Sequence, residues 1–105
     1  MHIQIVNFHL KGVAEPQYAA LCDEIAPAFA AVPGLLSKVW LADSRSGTYG
    51  GVYVWESRDA MERYAGSDLC KTVISHPNLA DITSTDFGVL EAPTRVTRGA
   101  VEAHA

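Results

Sequence analysis

The chain predicts an α+β fold, one antiparallel sheet of four strands with two helical regions on a single face. Three observations carry that expectation. Short stretches rich in β-branched and aromatic residues alternate with stretches of helical periodicity, their order along the chain is β-α-β-β-α-β, and the middle two strands are joined by "SRSGT", a loop short enough for a hairpin. This is the ferredoxin-like arrangement. Its sheet has one face under the helices and one face still to be covered.

The first strand is expected over residues 2–10, "HIQIVNFHL", followed by Gly12. A helix is expected over 15–32, because Tyr18, Leu21, Cys22, Ile25, Phe29 and Val32 fall at three- and four-residue steps and Pro16 suits a first turn. Pro27 lies inside that pattern and cannot donate to the carbonyl four residues back, so a kink or break near Asp23 is expected. "VPGL" turns the chain into a second strand over 35–43, "LLSKVWLAD". The third strand is carried by "YGGVYVWES", residues 49–57, in which Gly51, Tyr53 and Trp55 share one face and Gly50, Val52, Val54 and Glu56 the other.

Ser57 is a good N-cap for a second helix, with Ala60, Met61, Tyr64 and Ala65 as its apolar stripe and Gly66 as its stop. Ser67 restarts a short helix or turn that Pro77 closes, and "DITSTDFGVLE", residues 81–91, is expected as the fourth strand. The domain is expected to span residues 1–92, and residues 93–105 to form a polar, partly disordered tail.

Composition narrows the function classes. A chain of 105 residues with 49% hydrophobic content buries about two thirds of its unfolded surface and needs no metal or disulfide to fold. A formal charge of −4 and the lack of a Lys/Arg cluster argue against nucleic acid and against anionic membranes. "MHIQIVNFHL" has no basic lead-in or small-residue cleavage site, and no run of about 18 apolar residues occurs, so a cytoplasmic protein is expected. Cys22 and Cys70 lie far apart in helical patterns and read as reduced, packed thiols. Ser-His-Asp sets, metal-ligand spacings and phosphate loops are not evident, so no metal is expected. The uncovered sheet face carries too much apolar and aromatic area to stay wet, and a face-to-face homodimer is its natural cover.

"PGLLSKVWLADSRSGTYGGVYVWESRDAMERYA", residues 33–65, resembles the YdhR-type monooxygenases: a Pro-Gly before the second strand, Lys38-x-Trp40 within it, then Gly50-Gly51 and Tyr53 opening the third. "DFGVLEAP" is similar to the family's last strand and exit. The resemblance covers most of residues 3–93 and implies a dimeric α/β barrel related to the antibiotic-biosynthesis monooxygenases, some of which oxidise phenolic polyketides without metal or flavin. The expected function is therefore a cofactor-independent monooxygenase acting with O2 on a small aromatic, phenolic or quinol-like compound. Two alternatives stand beside it: a non-catalytic ligand-binding or stress-response module of the same fold, and a haem-degrading monooxygenase.

A cofactor-free oxygenase must bind a flat phenol, help to deprotonate it and stabilise charge developing on oxygen, in an apolar cavity expected between sheet and helices. Ile3, Ile5, Asn7 and His9 share a strand face, so His9 is a candidate proton acceptor and Asn7 a candidate oxyanion donor; alternatively that strand end simply emerges into solvent. Phe29, Trp40, Tyr53 and Trp55 are candidate walls for substrate, or ordinary core and interface aromatics. Tyr64, on the inward stripe of the second helix, is a candidate catalytic hydroxyl or a core tyrosine. Lys38 points the same way as Trp40 and either covers apolar surface with its stem or presents an ammonium to an anionic substrate. For the haem alternative, the resemblance makes Asn7, Tyr64 and His76 the nearest equivalents of an Asn, Trp and His set. The Trp has become Tyr, and the ligand position falls at Ile74, two residues before His76. His76 then reads as a loop histidine before Pro77, within reach of a bound substrate.

Overall fold

The structure, a computed structural model, describes residues 1–99. Its elements run β1 His2–Leu10, α1 Glu15–Ala30, β2 Leu35–Asp43, β3 Thr48–Trp55, α2 Arg58–Ala65, α3 Asp68–Ile74, β4 Leu79–Gly88 and α4 Glu91–Val96. The four strands form one sheet in the order β2-β3-β1-β4, with every neighbouring pair antiparallel. The fold is therefore the ferredoxin-like α+β arrangement.

Local chemistry accounts for the boundaries. Pro16 sits in the first turn of α1, and the Gln17 side chain accepts the Ala14 N–H. The Ser57 hydroxyl accepts the Ala60 N–H, and that of Ser67 the Cys70 N–H, so each starts a separate helix either side of Gly66. Two local details differ from the expected pattern. α1 runs through Pro27 to Ala30 without a break near Asp23: one missing hydrogen bond near the end of a sixteen-residue helix is offset by the packing of Phe29 two residues on. And Glu91–Val96, which straddles the start of the expected tail, forms a helix pinned by the Glu91–Arg95 pair one turn apart. Residues 100–105, the rest of that tail, lie outside the described residues.

Register decides which side chains meet. His2 pairs with Trp55, Gln4 with Tyr53, Val6 with Gly51 and Phe8 with Tyr49; on the other edge of β3, Lys38 pairs with Tyr53 and Trp40 with Gly51. Paired residues share a face. The helix-side face is therefore built from His2, Gln4, Val6 and Phe8, from Tyr49, Gly51, Tyr53 and Trp55, and from Lys38 and Trp40. The outer face holds Ile3, Ile5, Asn7 and His9 with Val39, Leu41, Val52 and Val54. β4 keeps pace with β1 except at one bulge, where Asn7 pairs with Thr83 but His9 with Ala80; Asp81, at φ 56°, sits in the extra turn of chain.

The core lies at one end of the helix side. Phe29, Tyr53, Trp55, Ala60, Met61 and Tyr64 pack together, with Trp55 wholly buried. Trp55 stacks on Tyr53 with rings 5.9 Å apart and donates its indole N–H to Gln4 Oε1 at 3.0 Å, so its one polar atom is satisfied. Toward the other end of the sheet the helix–sheet layer is not filled.

Candidate active site

The gap is an apolar cavity of about 120 Å³ between α1, the sheet and the segment after α3. Its ceiling is the periodic stripe of α1: Tyr18, Leu21, Cys22, Ile25 and Phe29 all line it. Phe8, Trp40, Tyr53 and Gly50 come from the sheet, Leu69 and Val73 from α3, and His76 and Leu79 close the far side. An apolar cavity of roughly 150 Å³ takes a benzene. The space here is of that order, and it is partly open to solvent.

Lys38 is the one lysine or arginine on this wall. Its Nζ stands 3.4 Å from the centroid of Phe29, 3.5 Å from that of Trp40 and 4.7 Å from that of Tyr53. Phe29 meets Trp40 edge to face at 5.4 Å, so the three rings form a corner into which the ammonium is pressed. The double glycine makes this corner. At Gly50, φ is +152° and a Cβ would come within 1.8 Å of the Val6 carbonyl oxygen, so β3 can approach β1 only without a side chain there. At Gly51 a Cβ would fall 2.9 Å from Lys38 Cε. The bare position is where the lysine stem lies.

Burial strips water from the ammonium and pulls the Lys38 pKa down to about 7; Cys22 opposes this weakly. Cys22 supplies no negative charge near neutral pH, because its own burial raises the thiol pKa. Burial also raises the hydroxyls of Tyr18 and Tyr64, and Tyr53 is pushed up to about 12. His76 accepts the Asn78 N–H on Nδ1 at 3.2 Å, so in its neutral form the ring keeps its proton on Nε2. Among the described residues no salt bridge or hydrogen bond engages the Lys38 side chain, and no cluster of His, Cys, Asp or Glu could hold a metal.

The sequence-derived candidates divide. Phe29, Lys38, Trp40, Tyr53 and His76 are brought together on the cavity wall. Asn7 and His9 are not, which corrects their expected placement: their strand face is the outer one, and His9 Nδ1 pairs with Asp81 at 3.2 Å in solvent. Tyr64 and Trp55 are also off the cavity wall. Tyr64 lies behind Tyr53, 5.3 Å from the Trp55 ring, in the packed end of the layer. Tyr18, Cys22 and Phe8 also line the cavity, and the sequence does not single them out as site residues. The helical stripe that marks Tyr18 and Cys22 as inward is the same for a filled core and for a roofed cavity.

The family model described as "Putative mono-oxygenase ydhR" matches residues 3–100. The chain belongs to the YdhR family. Solved structures share the fold of this YdhR-family chain. A "putative antibiotic biosynthesis monooxygenase" of Deinococcus radiodurans superposes with a TM-score of 0.73 at 21% identity, covering 88% of this chain and 95% of that one. The haem degrader MhuD of Mycobacterium tuberculosis, with two haems in its active site, gives 0.70 at 21%, covering 86% and 96%. SnoaB, a cofactor-independent oxygenase of Streptomyces nogalater, gives 0.66 at 19%, covering 84% and 92%. Among curated proteins, none matches the chain.

Proposed function

We propose that this YdhR-family chain is a cytoplasmic, cofactor-independent monooxygenase that oxidises a small phenolic or quinol-like ring with O2, and that it works as a homodimer. The observation that carries this reading is the cavity walled by Phe29, Trp40 and Tyr53, with Lys38 as the one lysine or arginine on a largely apolar wall. Flat aromatic walls stack an aromatic substrate, and a dry site strengthens any charge pair formed inside.

With a hydroquinone the reaction balances without a cofactor. One atom of O2 enters the ring, the other leaves as water with two substrate hydrogens, and the product is a hydroxyquinone. The substrate anion supplies the electrons, so the protein has only to bind the ring, favour its anion and exclude bulk water. Phe29, Trp40 and Tyr53 hold the ring, His76 offers an N–H, and Trp55 and Tyr64 keep Tyr53 in place from behind.

The homodimer reading rests on the outer sheet face. Val39 is 57% exposed and Phe87 55%, alongside Ile3, Ile5, Val52 and Val54 on the same face. Exposed apolar side chains gathered on one sheet face support this reading, since such patches commonly mark an interface. Among the described residues no helix is long and apolar enough to cross a membrane.

The likeness to the fold of the haem degrader, together with His76 on the cavity wall, favours one second reading, haem degradation. Against it stands the volume between sheet and helices, about 120 Å³, which is small for a four-pyrrole macrocycle. Oxygen uptake with methyl-substituted hydroquinones, with product mass, tests the main reading. Incorporation of one oxygen atom per O2, lost in Trp40→Ala, is expected. No uptake with any hydroquinone favours a binding module, and a Soret shift on haem titration favours the second reading.

A further inference from the structure

We infer that Lys38 is the general base of this site: its amine takes the acidic proton of the bound ring and stays as the counterion of the anion it has made, against Phe29, Trp40 and Tyr53. This rests on the reading of the cavity as a site for a small aromatic molecule.

Three features of the site converge on Lys38. A lysine drawn partly out of water is ordinarily paired with a carboxylate, yet among the described residues none reaches Nζ. Its contacts are ring faces, which tolerate the ammonium but accept none of its three N–H groups as an oxyanion would. And the chain makes room for this side chain at Gly51, where even a methyl group would press on Cε. A cation held on an apolar cavity wall without an acceptor complements a ligand that carries one.

The groups facing Lys38 leave it alone in this role. From α1 come Tyr18 and Cys22, from β3 Tyr53, and from the segment after α3 His76. Tyr18, Cys22 and Tyr53 hold their protons more tightly than usual because they are buried. His76 has its acceptor nitrogen occupied by the Asn78 N–H. Lys38, drawn down to about 7 by burial, has both its ammonium and its free-amine form available in the neutral range. The step is a single proton transfer: the phenolic O–H bond breaks, the proton joins the Nζ lone pair, and phenol plus amine become phenolate plus ammonium. No proton is exchanged with solvent. In a site of low polarity the two charges attract each other more strongly than they would in water.

The probe is 3-nitrophenol, whose anion alone is yellow, with nitrobenzene as a partner that has no proton to give. At pH 7.5, wild type is expected to hold at least a tenfold greater anion-to-phenol ratio in bound probe than in free probe, with no net proton release to the buffer. Lys38→Met is expected to bind the probe colourless, and to bind nitrobenzene as wild type does. Lys38→Arg keeps a cation but no base, so it is expected to give the yellow form with release of one proton per probe bound. Colourless binding by wild type, or the same yellow band in Lys38→Met, overturns the proposal and leaves the cavity reading standing. Proton release by wild type equal to that of Lys38→Arg overturns the base assignment. If wild type binds neither 3-nitrophenol nor nitrobenzene, the cavity reading fails and the proposal falls with it.

Discussion

Replacing Lys38 by methionine is expected to stabilise the protein at neutral pH, and the gain is expected to shrink as the pH rises. The folded chain holds the Lys38 proton with a pKa of about 7, where the unfolded chain holds it at about the ordinary 10.5. The folded pKa is depressed, so folding is penalised wherever the unfolded chain is protonated. The penalty is full and constant below pH 7, fades between pH 7 and 10.5, and vanishes above that range. At about 1.4 kcal/mol per pH unit, the drop sets a ceiling of about 5 kcal/mol. The side chain is only partly buried, so screening by solvent makes that ceiling an upper bound, and the expected penalty at pH 7 is about 3–5 kcal/mol. Methionine keeps most of the stem and drops the charge, so the gap between variant and wild type should narrow by about 1–2 kcal/mol from pH 7 to pH 9. Urea unfolding of both proteins at the two pH values measures it; groups common to both cancel in the difference. A gap that does not change with pH, or a Lys38→Met protein less stable than wild type at pH 7, refutes the account of a desolvated amine.

Two other perturbations test the frame around the site. Gly50→Ala puts a methyl group into the Val6 carbonyl at a φ of +152°, where neither backbone can yield cheaply, and a loss of about 3 kcal/mol or more is expected, lowering the thermal midpoint by roughly 12–20 °C. A midpoint within a few degrees of wild type shows that β1 and β3 do not approach as described. Val39→Glu on the outer face is expected to leave the fold intact by circular dichroism and to convert a dimer to a monomer by light scattering, since a carboxylate buried between two sheet faces would have no partner. An unchanged mass in the variant, or a monomeric wild type, removes the sheet-face dimer.

The YdhR-family resemblance and the element order were both legible in the chain because each depends on local signals. Ser57 and Ser67 cap helices wherever their side chains can reach the third N–H on, and Gly66 separates them. The aromatic set was legible as a set. Its division was not: Trp55 and Tyr53 alternate alike in sequence, yet one is sealed into the core with its indole on Gln4 and the other borders the cavity. Where along a sheet the helices press down and where they stand off is decided by side-chain volumes from six different elements. No window of sequence contains them together.

The strand parity of the site was settled by register. Ile3 and Ile5 on one face of β1 and Val6 and Phe8 on the other are equally apolar, so periodicity cannot say which turns inward, and the polar pair Asn7 and His9 looked like the wet end of a pocket. Pairing of Val6 with Gly51 and Phe8 with Tyr49 turned that pair outward and left Lys38 as the polar group beneath α1. By itself the sequence determined the alternation of strands and helices, the need to cover a second sheet face, and the membership of Lys38, Trp40, Gly50, Gly51 and Tyr53 in one motif. Only the tertiary structure decided what that motif makes. Two glycines let β1, β2 and β3 close up around a lysine stem, and the charge at its end was carried among three rings with no carboxylate to meet it.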